Sequence, residues 1–196
     1  MSEYSTKPST FYQVQGYPGL DGMASFIAEY IPKCKTYCEP FAGLGRVHNK
    51  VKADRIVLND MSDYAFDFLS KNNTCEITKM QYADFIKIYD SENTFFLIDP
   101  PWRKNIYTNN QLPFCDRTPI QYYDDLLKNI LPNVKADWIL CVDRDEHEIG
   151  KRVSKSSYPN LVLEHPKKKL FNRKIAVRLA SNKPFTRYNQ TELMFN

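Results

Sequence analysis

No stretch of this chain approaches the roughly 18–20 consecutive apolar residues that a membrane-spanning helix needs, and the polar segment Met1 to Gln15 holds no apolar signal-peptide core. These absences predict a soluble, intracellular protein with no membrane partner. Cysteine is sparse and scattered: of Cys34, Cys38, Cys75, Cys115 and Cys141, only the first two lie close together. That spacing lacks the second pair or nearby histidine a zinc site would use, so buried thiols in a reducing compartment are expected. The three histidines, His48, His147 and His165, fall in unrelated segments and read as surface or packing residues. No metal is expected. There is no internal repeat and no low-complexity block. With 196 residues the chain can bury one sizeable core but not two full-sized ones, so residues 1–196 are read as a single domain.

The net charge is only +4, yet it is unevenly spread. From Gly150 to Asn196 there are eleven Lys or Arg against two acids, Glu164 and Glu192, which leaves the preceding part net acidic. In the basic end Lys167, Lys168, Lys169, Arg173, Lys174, Lys183 and Arg187 are interleaved with Phe171, Phe185 and Tyr188. Cations mixed with aromatic rings suit phosphates and unstacked bases, so this end is the candidate nucleic-acid contact.

Periodicity predicts an alternating α/β order. Met23 to Ile31 is apolar on a helical period, with Asp21 before it and Pro32 after it. Thr36 to Phe41 and Arg55 to Asn59 read as strands, and Ser62 to Lys71 as a helix with Ser62 as its N-cap and Phe66 and Leu69 inward. After a short stretch with no clear pattern come the strand Thr94 to Asp99, a helix from Pro119 to Leu131 and the strand Trp138 to Val142. A helix from Asp145 to Val153 and strands over Leu161 to Glu164 and Ile175 to Leu179 complete the order. This alternation implies a mostly parallel sheet covered by helices, with ligands at the carboxyl ends of its strands. Asn105 to Thr118 has no periodicity and reads as a substrate-binding loop.

Two constellations stand at such strand ends. In the first, Asp99-Pro100-Pro101-Trp102 closes the apolar run Thr94 to Ile98. Proline fixes its own φ and pushes the preceding residue out of the helical region, so Asp99 and Pro100 are both extended. The Asp99 carboxylate and the Pro100 carbonyl then form two neighbouring acceptors, which suit the two hydrogens of an exocyclic amine. Trp102 adds a flat face on which a base can stack. In the second, Glu39-Pro40-Phe41-Ala42-Gly43-Leu44-Gly45 precedes Asp60 by fifteen residues. Glycines at a strand-to-helix turn admit a ligand close to the backbone, and an acid at the tip of the next strand can take two ribose hydroxyls. The chain continues Arg46-Val47-His48, without the third glycine that a dinucleotide pyrophosphate would ask for. A nucleoside with a compact charged tail, such as S-adenosyl-L-methionine, fits better.

Taken in order, EPFAGLG, LND, YADF and LIDPPW resemble the alpha group of amino-methyltransferases, best known from Dam-like DNA N6-adenine methyltransferases. The resemblance implies a Rossmann-like S-adenosylmethionine-dependent methyltransferase fold, a mostly parallel sheet with an antiparallel last strand. It implies methyl transfer to adenine N6 in DNA. Tyr17 and Gly19 would belong to an N-terminal cofactor motif, Glu39, Phe41, Gly43 and Gly45 would line the methionine part of the cofactor, Asp60 its ribose, and Asp84 and Phe85 its adenine. Asp99, Pro100, Pro101 and Trp102 would hold the target base, and Arg173 to Asn182 would be a late hairpin ending in Asn.

Three departures from that family are visible. Leu20-Asp21-Gly22 stands where Gly-Lys is usual, Trp102 replaces the commoner Tyr, and only Ile86 to Asn93 lies where the family inserts a target-recognition domain. Target selection would then be reduced, relocated or delegated to a protein partner. Methylation of RNA adenine and a non-catalytic nucleic-acid-binding subunit are the alternatives; cytosine N4 ranks lower, because Ser usually stands where this chain has Asp99.

Overall fold

The structure, a computed structural model, describes residues 21–100, 119–143, 160–161, 168–170, 173–175 and 177–188. The predicted helix Asp145 to Val153 and the loop Asn105 to Thr118 lie outside them. Nine strands are described: β1 (Cys34–Glu39), β2 (Ala53–Asn59), β3 (Glu76–Thr78), β4 (Thr94–Ile98), β5 (Asp137–Asp143), β6 (Asn160–Leu161), β7 (Lys168–Leu170), β8 (Arg173–Ile175) and β9 (Val177–Ser181). The helices are α1 (Asp21–Ala28), α2 (Asp63–Asn72), α3 (Tyr82–Tyr89) and α4 (Pro119–Asp125).

Seven strands form one sheet in the order β3-β2-β1-β4-β5-β9-β6. The pairs from β3 to β5 are parallel, with Tyr37 beside Ile56 and Phe95, and Phe96 beside Trp138. β9 runs antiparallel to both its neighbours, so the sheet is mostly parallel with an antiparallel last strand, the topology the resemblance implies. All five residues of β4 are buried, as a central strand covered on both faces requires. The two-residue period of the pleat divides the core. Cys38, Val57, Phe96, Ile98, Trp138, Leu140 and Val142 pack with Tyr82, Phe85 and Ile86 of α3 and Tyr123 of α4. Tyr37, Phe95, Leu97, Ile139 and Cys141 face the other way, onto Phe26 and Ile27 of α1 and Ile31. Leu58 and Leu69 join α2 to the sheet beside Ala42.

Local chemistry sets the helix ends. The Ser62 hydroxyl accepts from the Ala65 amide at 3.3 Å, the expected N-cap of α2; within that helix Ala65 and Leu69 are buried and Phe66 only partly. The stretch without a pattern holds β3 and α3. The predicted helix Pro119 to Leu131 is instead α-helical to Asp125, a π turn over Leu126–Ile130 and a 3-10 turn over Leu131–Asn133. Pro132 has no N–H with which to continue an α-helical ladder. The expected strand Ile175 to Leu179 is also two elements, because β8 pairs with β7 in a separate two-stranded sheet before β9 enters the main one. Among the described residues no helix is long and apolar enough to cross a membrane.

Candidate cofactor and amine site

β1 and β2 begin exposed and end buried, so their last residues carry the chain into covered space at the carboxyl edge of the sheet. Beyond β1 the loop is tied down at three points. The Ala42 amide donates to the Asn59 carbonyl, the Gly43 amide to the Asp60 Oδ2 and the Gly45 amide to the Ala42 carbonyl, each at 2.8 Å. Gly43 and Gly45 have φ of +54° and +62°, a region that L side chains rarely adopt. Their surroundings differ. A Cβ on Gly43 would meet nothing within 4 Å, so the backbone there is open to a ligand, whereas one on Gly45 would lie 2.8 Å from Leu69 and 2.9 Å from the His48 ring.

Asp60 is the hub of this loop. Its second oxygen accepts from the Ser62 amide at 2.8 Å, so one carboxylate links the glycine turn to the start of α2. Burial pushes Asp60 up from the usual carboxylate range, and the two amide hydrogen bonds oppose that push. Each oxygen keeps lone-pair capacity for a further donor. Behind it Asn59 is fully buried. Its amide nitrogen donates to the carbonyls of Pro40 and Met80, and its oxygen accepts from the Met80 amide and the Thr78 hydroxyl, all at 2.9 Å. Three strand exits are thus fixed by one side chain.

Glu39 is buried beneath the same loop and accepts from the Tyr37 hydroxyl at 2.8 Å. Burial raises its carboxyl to about 8; the Tyr37 hydrogen bond lowers it, the charge of Asp99 raises it, and the His48 amide lowers it. Asp99 and Pro100 follow β4, the strand next to β1, so the amine rim and the glycine loop occupy adjoining strand exits. Pro100 is buried and Asp99 partly so. Pro101, Trp102, Tyr17, Gly19 and Lys167 lie outside the described residues.

Other expected site residues are placed differently. Phe85 is fully buried, its ring against Tyr89 at 4.7 Å and Phe96 at 6.4 Å between centroids. It packs in the core, whereas Asp84, in the first turn of α3, is exposed. Sequence reasoning assigned Phe41 to the site but missed the two rings that pack on it, those of Tyr82 and Tyr122. Phe41 packs on Tyr82 at 5.0 Å and on Tyr122 at 5.9 Å, and the Tyr82 hydroxyl donates to Asp125. His48 is a buried packing residue, its Nε2 on the Asn73 side-chain oxygen at 2.9 Å, and burial lowers its pKa.

Of the basic residues, Lys168, Lys169, Arg173 and Lys174 fall on the β7–β8 ribbon, where Lys169 is the register partner of Lys174. The other two described ones are engaged within the protein. Lys183 pairs with Asp137 at 2.7 Å, and Arg187 donates to the Tyr30 hydroxyl at 2.9 Å and lies 3.4 Å from Glu29.

Residues 22–71, which span the glycine loop, Asp60 and most of α2, match the family of D12 class N6 adenine-specific DNA methyltransferases. No curated protein matches the sequence. Among solved structures the chain is similar to an rRNA methylase from Streptococcus thermophilus, with a TM-score of 0.51 and 9% identity over 81% of this chain and 93% of that one. A Streptococcus mutans protein assigned as a methyltransferase and solved with SAH gives 0.51 and 13% over 83% and 97%. TrmN from Thermus thermophilus gives 0.50 and 16%, over 83% of this chain and 48% of that one. At these identities the likeness is one of fold.

Proposed function

We propose that this protein is an S-adenosylmethionine-dependent methyltransferase acting on the N6 amine of adenine in nucleic acid, with DNA as the favoured substrate. The observation that carries this reading is the adjacency of two strand exits. Asp99-Pro100 leaves β4 beside the loop through which β1 delivers Glu39, Gly43 and Gly45, so acceptors for an amine adjoin a cradle for a nucleoside. The family match over residues 22–71 supports adenine as the target, and the SAH held by one fold neighbour supports the cofactor.

The residues present fit that cofactor. The open face over Gly43 would admit a ligand to the backbone, Asp60 would accept from ribose hydroxyls, and the carboxyls of Glu39 and Asp99 would face the cationic part of the cofactor. When bound, S-adenosylmethionine supplies a methyl group on positively charged sulfur. The chain's own part is to hold and orient the amine. An adenine N6 lone pair is delocalised into the ring; acceptance of its two hydrogens by the Asp99 carboxylate and the Pro100 carbonyl localises it for in-line attack. Fixed acceptors in a site shielded from water supply much of the acceleration, and Asp99 receives the departing proton. Trp102 would stack on the base, which must leave the duplex or be presented unpaired.

The ribbon β7–β8 is the proposed phosphate contact. Its backbone register pairs Lys169 with Lys174, so the ribbon gathers basic positions of the kind a phosphate backbone attracts. We read residues 1–196 as one catalytic domain whose target selection comes from a protein partner, since eight residues separate the third motif from β4. RNA is the second reading, favoured by the rRNA methylase among the fold neighbours.

Incubation with labelled cofactor and duplex DNA, single-stranded DNA or RNA, followed by nucleoside analysis, tests the proposal. N6-methyladenine from the native chain and none from Asp99→Ala is the expected result. Label in another base, or none in any, would overturn it.

A further inference from the structure

The glycine loop is fastened to both ends of α2. At the start of the helix Asp60 receives the Gly43 and Ser62 amides; at its end the His48 Nε2 meets the side-chain oxygen of Asn73, the C-cap, at 2.9 Å. About 15 Å of helix separates the two ties, so the loop cannot slide along α2 without breaking one of them. Between them Gly45 lies against Leu69 and the His48 ring.

Asn73 decides how that ring is held. Its side-chain nitrogen is 3.0 Å from the Leu69 carbonyl, which can only accept. The side-chain oxygen is therefore the atom turned to His48, and Nε2 must be the donor. Burial, the largest influence on the ring, favours its neutral form, and a neutral imidazole has one N–H to give. With that N–H committed to Asn73, Nδ1 is bare, and it makes no hydrogen bond among the described residues. Nδ1 and Cε1 form the edge nearest Gly45: a Cβ on that glycine would stand 2.9 Å from each. An apolar ring of the same size could fill this space, but its rotation would be loosely set, since the last torsion of an aromatic side chain is broad. His48 is 5% exposed, so its bond to Asn73 is formed where water competes little.

We propose that His48 is a positioning residue of the cofactor site: its Nε2 bond to Asn73 sets the ring edge against Gly45 and so holds the Gly43 backbone open to the ligand. The inference rests on the S-adenosylmethionine reading above and adds to it a residue that acts through the loop. Neither the residue pattern nor the resemblance gave His48 such a role.

Measurements on the full chain test it. Long-range proton–nitrogen spectra of the ligand-free protein at about pH 7.5 should show His48 as the neutral tautomer with its proton on Nε2. A proton on Nδ1 overturns the proposal independently of any cofactor. In His48→Phe, which keeps a ring and loses the donor, Kd and KM for S-adenosylmethionine should rise about tenfold, the equivalent of one hydrogen bond, with kcat at saturating cofactor little changed. His48→Gln retains an N–H for Asn73 and should bind within about threefold of the native chain. Adding Asn73→Leu to His48→Phe should weaken binding no further, because both break the same bond. A purely structural His48 would lower the melting temperature of His48→Phe and leave Kd unchanged in the folded protein. That result overturns the positioning role, as do additive losses in the double variant or a Gln variant no better than Phe. Should His48→Phe fail to fold, the nitrogen spectrum and the affinity of His48→Gln still decide. All of these outcomes leave the methyltransferase reading standing, whereas a folded native chain that does not bind S-adenosylmethionine removes that reading and this inference together.

Discussion

Asn59 directs four hydrogen bonds from inside the protein to the exits of β1 and β3, and its own main chain receives the glycine loop. Removing that side chain strands buried carbonyls and an amide, so Asn59→Ala should lower stability by about 3 kcal/mol in urea denaturation and loosen the loop with it. Asn59 and Asp60 were visible in the sequence as the tip of a strand, but only the acid carried a readable role. The partners of Asn59 lie some twenty positions away, and no local pattern reveals them. Glu39 brings a second expectation at this scale. Its folded-state pKa of about 8 lies above the ordinary carboxylate value, so the folded protein holds a proton that the unfolded chain has lost. Stability contributed by that proton is complete at low pH and declines as pH rises from about 4.5 to 8. Thermal melts of the ligand-free protein should fall across that window, and the fall should flatten in Glu39→Gln.

The loop after β1 separates folding from binding within three residues. Gly45→Ala forces a Cβ against Leu69 and His48 at a positive φ, and about 2–4 kcal/mol of stability should be lost. Gly43→Ala meets open space, so only the strained φ remains, about 1 kcal/mol, while cofactor affinity should drop more steeply because the methyl stands where the ligand approaches. Urea denaturation beside a binding titration distinguishes the two. Elements with a strong period were legible: β4, β2 and the capped start of α2 stand where alternation and Ser62 place them. β3 and α3 were not. A three-residue edge strand of the sequence Glu-Ile-Thr, only partly buried, has too little pattern to show, and α3 begins at Gln81 without a side-chain cap. The placement of Phe85 illustrates the same limit: motif similarity identifies a position, and packing decides which way its ring goes.

Across the described part of the molecule the basic residues differ in what they meet. Lys183 and Arg187 pair with Asp137 and Glu29, and Arg187 also lies over the Tyr30 ring at 5.8 Å, so these cations help hold residues 183–188 against the sheet and the end of α1. Asn182 acts with them, accepting from the Trp138 amide and donating to the Ala136 carbonyl at 3.0 Å. Charge counting alone could not show that Lys183 and Arg187 have acidic partners within the protein. For the β7–β8 ribbon, Lys169→Gln together with Lys174→Gln should flatten the dependence of log Kd on log salt by roughly 1.5, without changing the order of preference among nucleic acids. An unchanged slope would assign the phosphate contacts elsewhere. The alternating sheet, the glycine loop and the acidic strand tips could be read from residue order, while the internal engagement of Lys183 and Arg187 required the third dimension.

The place of β9 has a consequence for biosynthesis. Residues 177–181 come after every other described strand on the ribosome, yet they sit between β5 and β6, and β6 finds its hydrogen-bonded neighbour in β9. Until those residues emerge from the exit tunnel, the nascent chain presents one side of β5 as an open template, so a stall or nonsense codon shortly before position 177 should yield an aggregating or degraded product rather than a smaller working protein.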